Sequence, residues 1–262
     1  MRTLLAAIIL VASVFPARAE LVDLELILAV DVSGSVDDEE AQLQRDGYVA
    51  AIRSDKFIRA IQSGRRGRIA LAYVEWAGEH AKNTVVDWTL IDSAPTAQGF
   101  ADDLSEAPLR VELWTSISGA VDFALDLFAF SPHRGKRRVI DISGDGPNND
   151  GGLIVQARDR VRKQGIIING LPIINGRVSR YGMKPMPHLD NYYRDCVIGG
   201  FGSFIIVANT YNDFARAIRR KLILEIAGRV PEPHTPRIIL AASDIHPPCD
   251  TGEIIRNSRE SF

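Results

Sequence analysis

The sequence has little cysteine and histidine and no excess of positive charge. It holds two Cys and five scattered His among 262 residues, too few for a zinc finger, a zinc ribbon or a disulfide-dense scaffold. With 31 Lys and Arg against 33 Asp and Glu, it lacks the clustered positive charge that neutralises nucleic-acid phosphates. The short basic cluster of Arg65, Arg66 and Arg68 does not change that balance. Structural zinc and electrostatic nucleic-acid binding are therefore not expected.

Apolar runs long enough to span a membrane are also absent. The longest comes at the start, where Arg2 precedes an apolar stretch over residues 4–15, and Pro16 ends it. The sequence Ala17-Arg18-Ala19 then gives the pattern of small residues that signal peptidase recognises. We expect residues 1–19 to be a secretory signal cut after Ala19, which makes the mature protein secreted or periplasmic. The alternative is a buried first strand or helix.

The composition, 46% hydrophobic and 24% charged, is that of an ordinary globular protein. We expect one domain over residues 20–228 and a proline-bearing tail over 229–262 that packs on the edge of that domain. In an exported protein, Cys196 and Cys249 are candidates for a single disulfide, and two buried free thiols are the alternative.

Alternating strand and helix patterns follow the expected signal. Apolar, β-branched and aromatic runs predict strands, and apolar residues at helical spacing predict helices. The pattern predicts an α/β fold with a doubly wound, mostly parallel six-stranded sheet and one antiparallel edge strand. The predicted strands are 24–30, 68–76, 84–90, 138–143, 166–174 and 204–208, and the predicted helices are 37–52, 93–107, 116–130, 152–164 and one from about 212.

Hydroxyl and carboxylate side chains lie at the ends of three of these predicted elements. The first strand ends in Asp31-Val32-Ser33-Gly34-Ser35, Thr115 and Ser116 precede a helix, and Gly144-Asp145-Gly146 follows a later strand. Ligands of open α/β sheets bind beyond the carboxyl ends of the strands. These hard oxygen donors suit Mg²⁺ far better than zinc.

On these three motifs the chain resembles the von Willebrand factor type A (vWA) domains that carry a metal-ion-dependent adhesion site (MIDAS). The first segment matches the family's D-x-S-x-S, the segment 115–121 resembles its threonine motif, and Asp145-Gly146 resembles its strand-terminal D-G. The resemblance covers about residues 21–228 and is greatest to uncharacterised secreted bacterial members. Trp114 departs from the pattern, since many members have glycine before the threonine.

The resemblance implies a non-enzymatic, secreted protein-binding module for adhesion or complex assembly. Its metal would be Mg²⁺ or Mn²⁺, and a partner protein would donate a Glu or Asp carboxylate to it. The residues that the resemblance assigns to the metal are Asp31, Ser33, Ser35, Thr115 and Asp145.

Each motif also has a simpler interpretation. Ser33, Ser35 and Thr115 could be helix-capping hydroxyls, and Asp145 a turn residue. Asp37 and Asp38 resemble a second cation site of integrin relatives, but acids are favoured in any first helical turn. Asp141 lies inside a predicted strand, where a buried hydrogen-bonding role is an alternative to a ligand role.

Residues 144–150 also resemble the G-D-G-x-N-D segment of haloacid-dehalogenase-type phosphatases. In such a Mg²⁺-dependent enzyme Asp31 would be the nucleophile. The position two residues later would have to be a general acid and base, and it is occupied by Ser33, whose hydroxyl does not titrate usefully. A structural scaffold with a silent metal site is a third possibility.

The segment 175–195 is long for a loop of an α/β domain and follows a parallel strand. We expect it to lie at the same edge of the sheet as the motifs and to serve as a recognition surface. The alternative is that its apolar side chains fold back over the sheet. The side chains that favour recognition are Tyr181, Met183, Lys184, Met186, His188, Tyr192 and Tyr193.

Overall fold

The computed structural model describes residues 19–36, 38–174, 176–178, 182, 184–229 and 245–260. Residues 1–18 of the predicted signal, Asp37 and residues 230–244 of the tail lie outside these ranges. Five strands and eight helices alternate along the described chain: β1 (Glu20–Asp31), α1 (Asp38–Ile52), α2 (Asp55–Gln62), β2 (Ile69–Trp76), β3 (Lys82–Ile91), α3 (Ala94–Glu106), α4 (Ile117–Ala129), β4 (His133–Gly144), α5 (Ile154–Lys163), β5 (Ile167–Pro172), α6 (Leu189–Tyr192), α7 (Tyr211–Ala227) and α8 (Thr251–Glu260).

The strands form one sheet in the order β3-β2-β1-β4-β5. β1 pairs in parallel with β2 and β4, β4 pairs in parallel with β5, and β3 is antiparallel to β2. The predicted α/β class and the antiparallel edge strand are therefore confirmed. Because the strand order reverses beside β1, the crevice for a ligand lies where β1 and β4 end.

Helices cover both faces of the sheet. Leu24, Leu26 and Leu28 of β1 pack with apolar residues of α1, α2, α3 and α7. Ile27 and Ala29, which point to the opposite face, pack with residues of α4 and α5. A central strand that is buried on both faces is apolar at consecutive positions, not only at alternate ones, which explains the nearly continuous apolar run of β1.

The sheet has five strands where six were predicted. The segment 204–208 lies beside β5 and pairs with it through two isolated parallel bridges, Gly170 with Ile205 and Ile173 with Ala208. Pro172 lies between these bridges and has no N–H, so the bond that it would donate to complete the ladder cannot form. Pro172 also ends β5 two residues before the predicted boundary.

The structure also has elements that the sequence pattern did not predict. The helices α2, α6 and α8 are additional, and the side chain of Ser54 caps α2 by accepting a hydrogen bond from the N–H of Phe57. β4 begins at His133, five residues before its predicted start, because the charged segment at its beginning pairs with the first residues of β1.

Within the described ranges, the helices are too short or too polar to cross a membrane.

A buried ion cluster joins β4 to α7. Lys221 forms ion pairs with Asp141 and, at 2.7 Å, with Glu225, and all three side chains are inaccessible to solvent. Asn169 of β5 donates a further hydrogen bond of 2.9 Å to the Glu225 carboxylate. Burial, followed by the charge of Glu225, raises the pKa of Asp141 to about 8. Asp141 is thus a buried structural group on the face of α7 and does not join the hydroxyl cluster.

The described part of the tail is attached to the domain by a disulfide and by polar contacts. Cys196 and Cys249 are joined across 53 residues of sequence. Asn148 donates a hydrogen bond of 2.7 Å to Glu253 of α8, and Arg256 pairs with Asp150. These contacts place α8 directly on the segment that follows β4.

Replacing Lys221 with Met leaves two buried carboxylates without their cation, so we expect the free energy of unfolding to fall by about 3–5 kcal/mol. Chemical denaturation measures this loss. Lys163→Met, at an exposed position near the end of α5, is the control and should change stability by less than about 0.5 kcal/mol. Equal stability of the two variants would contradict the role given to the cluster.

The variant Cys249→Ser removes the disulfide, which closes a loop of 53 residues in the unfolded chain. Chain entropy then predicts that the free energy of unfolding falls by about 4 kcal/mol. Denaturation of the variant and of the reduced wild-type protein should give the same loss. Mass mapping of the unreduced protein should yield one cross-linked pair of peptides. Two alkylatable thiols in that experiment would refute the bridge.

Candidate metal centre

The loop after β1 joins the segment after β4 through a chain of short hydrogen bonds. The Ser33 N–H donates to Asp31 Oδ1 at 2.8 Å, and the hydroxyls of Ser33 and Ser35 lie 3.0 Å apart. The Ser35 hydroxyl donates to Asp145 Oδ1 at 2.6 Å. Four of the five predicted site residues therefore form one cluster at the carboxyl ends of the two central strands.

The approach of β4 to Asp31 requires a glycine. A Cβ on Gly144 would lie 2.7 Å from Asp31 Oδ2 and 2.8 Å from the Tyr193 hydroxyl, which is closer than side-chain atoms approach. Asp31 is fully buried, and its Oδ2 atom and the Tyr193 hydroxyl have no hydrogen-bond partner. A buried carboxylate oxygen without a partner is costly unless a cation or a donor satisfies it.

The electrostatics of Asp31 also favour a cation. Burial, and after it the negative charge of Asp145, raises the pKa of Asp31 to about 8, against the lowering effect of the hydrogen bonds from Ser33. The same burial, with the charges of Asp31 and Asp145, raises the pKa of the Tyr193 hydroxyl. Two carboxylates close together in a buried site repel each other, and a divalent cation between them would remove that repulsion.

Thr115 reaches this cluster from the loop between α3 and α4. Its side chain is buried and lies 3.9 Å from the position of a Cβ on Gly146. The Asn149 side chain accepts a hydrogen bond of 2.9 Å from the Thr115 N–H, while the Thr115 carbonyl accepts from the N–H groups of Asn149 and Asp150. Thr115 is therefore fixed beside Asp145 by the segment that follows β4.

The phosphatase-like segment has a structural role in this arrangement. Asn148 accepts a hydrogen bond of 2.8 Å from the Ser118 N–H at the start of α4, and its own N–H donates to the Tyr192 hydroxyl. Asp150 accepts from the Glu79 N–H at 2.7 Å and pairs with Arg256. These side chains bind the neighbouring loops and α8, which accounts for the Asn and Asp residues without a phosphoryl substrate.

Trp114 has a left-handed backbone, with φ at 69°. This conformation suits the glycine found there in many vWA domains and costs other residues about 1–2 kcal/mol. The Arg256 guanidinium lies 4.2 Å from the centre of the Trp114 ring, and the ring is still 44% exposed. The large side chain is therefore kept at a strained position where it borders the site.

The predicted recognition loop divides into two parts. Tyr192 and Tyr193 are fully buried, because α6 and the turn of π-helix that follows it at Tyr193–Val197 pack beneath the site. For these two side chains the alternative, that they fold back over the sheet, is correct. Lys184 and Met186 border the site, and Tyr181 and Met183 lie outside the described residues.

Tyr193 is a residue near the cluster for which the sequence left both a recognition role and a buried position open. Its hydroxyl lies beside Asp31 although 162 positions separate the two residues. No local sequence pattern predicts that contact, since a Tyr-Tyr pair in a polar loop is equally typical of an exposed surface.

The donors fit a hard divalent cation. Two carboxylates and three hydroxyls meet at one edge of the sheet, and one carboxylate oxygen is buried without a partner. The described part of the chain has no group of three or more His, Cys, Asp and Glu side chains suited to a metal, so zinc ligation by nitrogen and sulfur has no counterpart there. Sites of oxygen ligands that retain some water are typical of Mg²⁺.

The strain at Trp114 predicts an order of stability between two variants. Trp114→Gly and Trp114→Ala both lose the stacked ring, but alanine retains the left-handed penalty. We expect the glycine variant to be more stable than the alanine variant by about 1 kcal/mol, measured by chemical denaturation. A more stable alanine variant would show that the backbone at this position is not strained.

Three solved structures with the same fold are similar to this chain at low identity. Proximal thread matrix protein 1 (PTMP1) from the mussel byssus is 13% identical, with a TM-score of 0.57 over 79% of this chain and 48% of its own. The conserved hypothetical protein BatB from Bacteroides thetaiotaomicron is 20% identical, with a TM-score of 0.52 over 78% and 99%. A von Willebrand factor type A structure from Catenulispora acidiphila is 13% identical, with a TM-score of 0.54 over 78% and 43%.

The chain thus spans about half of PTMP1, which was also crystallised with a zinc-occupied MIDAS motif. No curated protein matches the sequence. The family described as "Protein of unknown function (DUF1194)" matches residues 21–230. The chain therefore belongs to the DUF1194 family and folds as a von Willebrand factor type A domain.

Proposed function

We propose that the protein is a divalent-metal-dependent protein-binding module, used in adhesion or in the assembly of a complex. The observation that carries this proposal is the buried Asp31 carboxylate, whose Oδ2 atom has no partner and which is linked through Ser33 and Ser35 to a second carboxylate. A cation at this position would satisfy the unpartnered oxygen and neutralise the pair.

The five clustered side chains would hold the metal in two ways. Ser33, Ser35 and Thr115 would contribute hydroxyl oxygens, and Asp31 and Asp145 would contribute charge, directly or through water. Because Mg²⁺ takes an octahedral shell of oxygen ligands, these five side chains would leave a position for a further oxygen ligand. A Glu or Asp of a partner protein fits that requirement. The zinc-occupied MIDAS motif of PTMP1 supports divalent-cation binding at the similar motif here, and the oxygen donors favour Mg²⁺ or Mn²⁺ as that cation.

A binding role agrees with the local chemistry better than a phosphatase role. A phosphoryl-transfer mechanism through Asp31 needs a general acid and base two residues later. Ser33 occupies that position and hydrogen-bonds to Ser35. The segment 148–150 is engaged in holding the threonine loop and α8.

We further propose that the protein acts outside the cytoplasm after residues 1–19 are removed. The disulfide between Cys196 and Cys249 supports this location, because such bonds persist in oxidising compartments. The partner is then a protein of the cell envelope or of its surroundings.

Calorimetric titration of the protein with Mg²⁺ and with Mn²⁺ tests the proposal. We expect one bound cation per chain, and we expect Asp31→Asn to weaken binding at least tenfold, because the amide removes a charged ligand and leaves the shape of the side chain unchanged. Asp126→Asn, an exposed residue of α4, is the control for the loss of one negative charge and should bind like wild type.

Two results would contradict the proposal. If the wild-type protein bound neither cation, the proposed metal dependence would be wrong. Metal-dependent turnover of an aryl phosphate that is lost in Asp31→Asn and kept in Asp126→Asn would assign Asp31 to an enzyme.

A further inference from the structure

A cavity of about 290 Å³ opens directly beside the candidate metal centre. Ser35, Thr115 and Asp145 line it. Trp114, Met186 and Ile255 contribute apolar surface to the same lining. The cavity therefore adjoins the candidate metal centre and offers apolar side chains beside it.

The cavity has room for one large side chain. A cavity of about 150 Å³ accommodates a benzene molecule, whereas pockets for drug-sized ligands start near about 300 Å³. At about 290 Å³, it can hold a leucine or an aromatic side chain together with the backbone that carries it.

Its charge favours an acidic segment. Arg177, Lys184 and Arg256 line the cavity, and Asp145 is the acid among the described residues that line it. Arg177 and Arg256 are each paired with a carboxylate, those of Glu40 and Asp150, so the excess of positive charge is modest. A divalent cation would add to it and would attract anionic chain segments.

Two features of the cavity wall distinguish it from ordinary surface. Trp114 has a large ring on a left-handed backbone, and strain of this kind is concentrated at functional sites. Ile255 belongs to α8, which the disulfide, Glu253 and Arg256 attach to the domain. Ile255 nevertheless leaves 42% of its surface exposed.

We propose that this cavity receives a large apolar side chain of the partner, next in sequence to the carboxylate that reaches the metal. The partner is accordingly a protein segment with an Asp or Glu flanked by a leucine-like or aromatic residue, and Trp114 and Ile255 determine this specificity. The inference rests on the proposed metal-dependent binding and adds the chemical class of its ligand.

Three blocked peptides test this specificity at saturating Mg²⁺, with binding followed by the amide chemical shifts of the protein. They are Gly-Leu-Asp-Leu-Gly, Gly-Ser-Asp-Ser-Gly and Gly-Leu-Asn-Leu-Gly, where leucine on both sides makes the direction of the chain unimportant. We expect the first to bind at least tenfold more tightly than the second, because a leucine leaves water on binding. We expect the third to bind weakly and to be insensitive to a chelator.

Neighbouring residues of α8 provide a matched pair of variants. Ile255 lines the cavity, whereas Ile254 does not and is 56% exposed. Ile255→Ser should reduce the advantage of the leucine peptide to less than about threefold, while Ile254→Ser should leave it unchanged. Trp114→Gly, which relieves backbone strain, should also reduce the advantage without loss of folded protein.

The outcomes separate this inference from the function on which it rests. Three outcomes would overturn the specificity alone. They are equal binding of the leucine and serine peptides at saturating Mg²⁺, equal effects of the two isoleucine variants, and no binding of the leucine peptide at millimolar concentration. Equal, chelator-insensitive binding of the Asp and Asn peptides would overturn the metal-dependent function as well. Self-association that Ile255→Ser abolishes would assign the cavity to a second copy of the chain and overturn the proposal.

Discussion

The position of the Asp31 carboxylate between β1 and β4 is the constraint around which the site is organised. Asp31 ends the central strand, and the register of β1 on β4 brings it next to Gly144. A side chain at Gly144 would collide with the carboxylate, so the two strand ends can approach only at a glycine. This approach places Asp145 close enough to Ser35 for a hydrogen bond of 2.6 Å and leaves one oxygen of Asp31 buried without a partner.

The loops around this position also hold one another. The segment after β4 binds the backbone of Thr115 and the start of α4, and α8 in turn binds that segment. Because Cys249 lies two residues before the start of α8, the disulfide to Cys196 limits how far the helix can move from the site. A covalent bond at the edge of the domain thus helps to define the shape of the cavity beside the candidate metal centre.

Two aspartates close together in the chain have different surroundings. Asp141 and Asp145 lie four residues apart, the first within β4 and the second just after it. Asp141 is fully buried and pairs with Lys221 of α7. Asp145 is only partly buried and faces the cavity. The same residue type therefore lies beside a lysine of the core at one position and at the candidate metal centre at the other.

The sequence by itself determined the α/β class, the antiparallel edge strand and the group of oxygen donors, because these follow from local patterns: apolar runs, helical spacing, and polar residues at strand ends. It did not determine the number of strands, since one missing N–H at Pro172 reduces the sixth strand to two bridges. It also did not determine the buried position of Tyr193 beside Asp31, the pairing of Asp141 with Lys221, or the wall formed by α8. Each of these contacts joins residues that are distant in the chain, and only the packed tertiary structure brings such residues together.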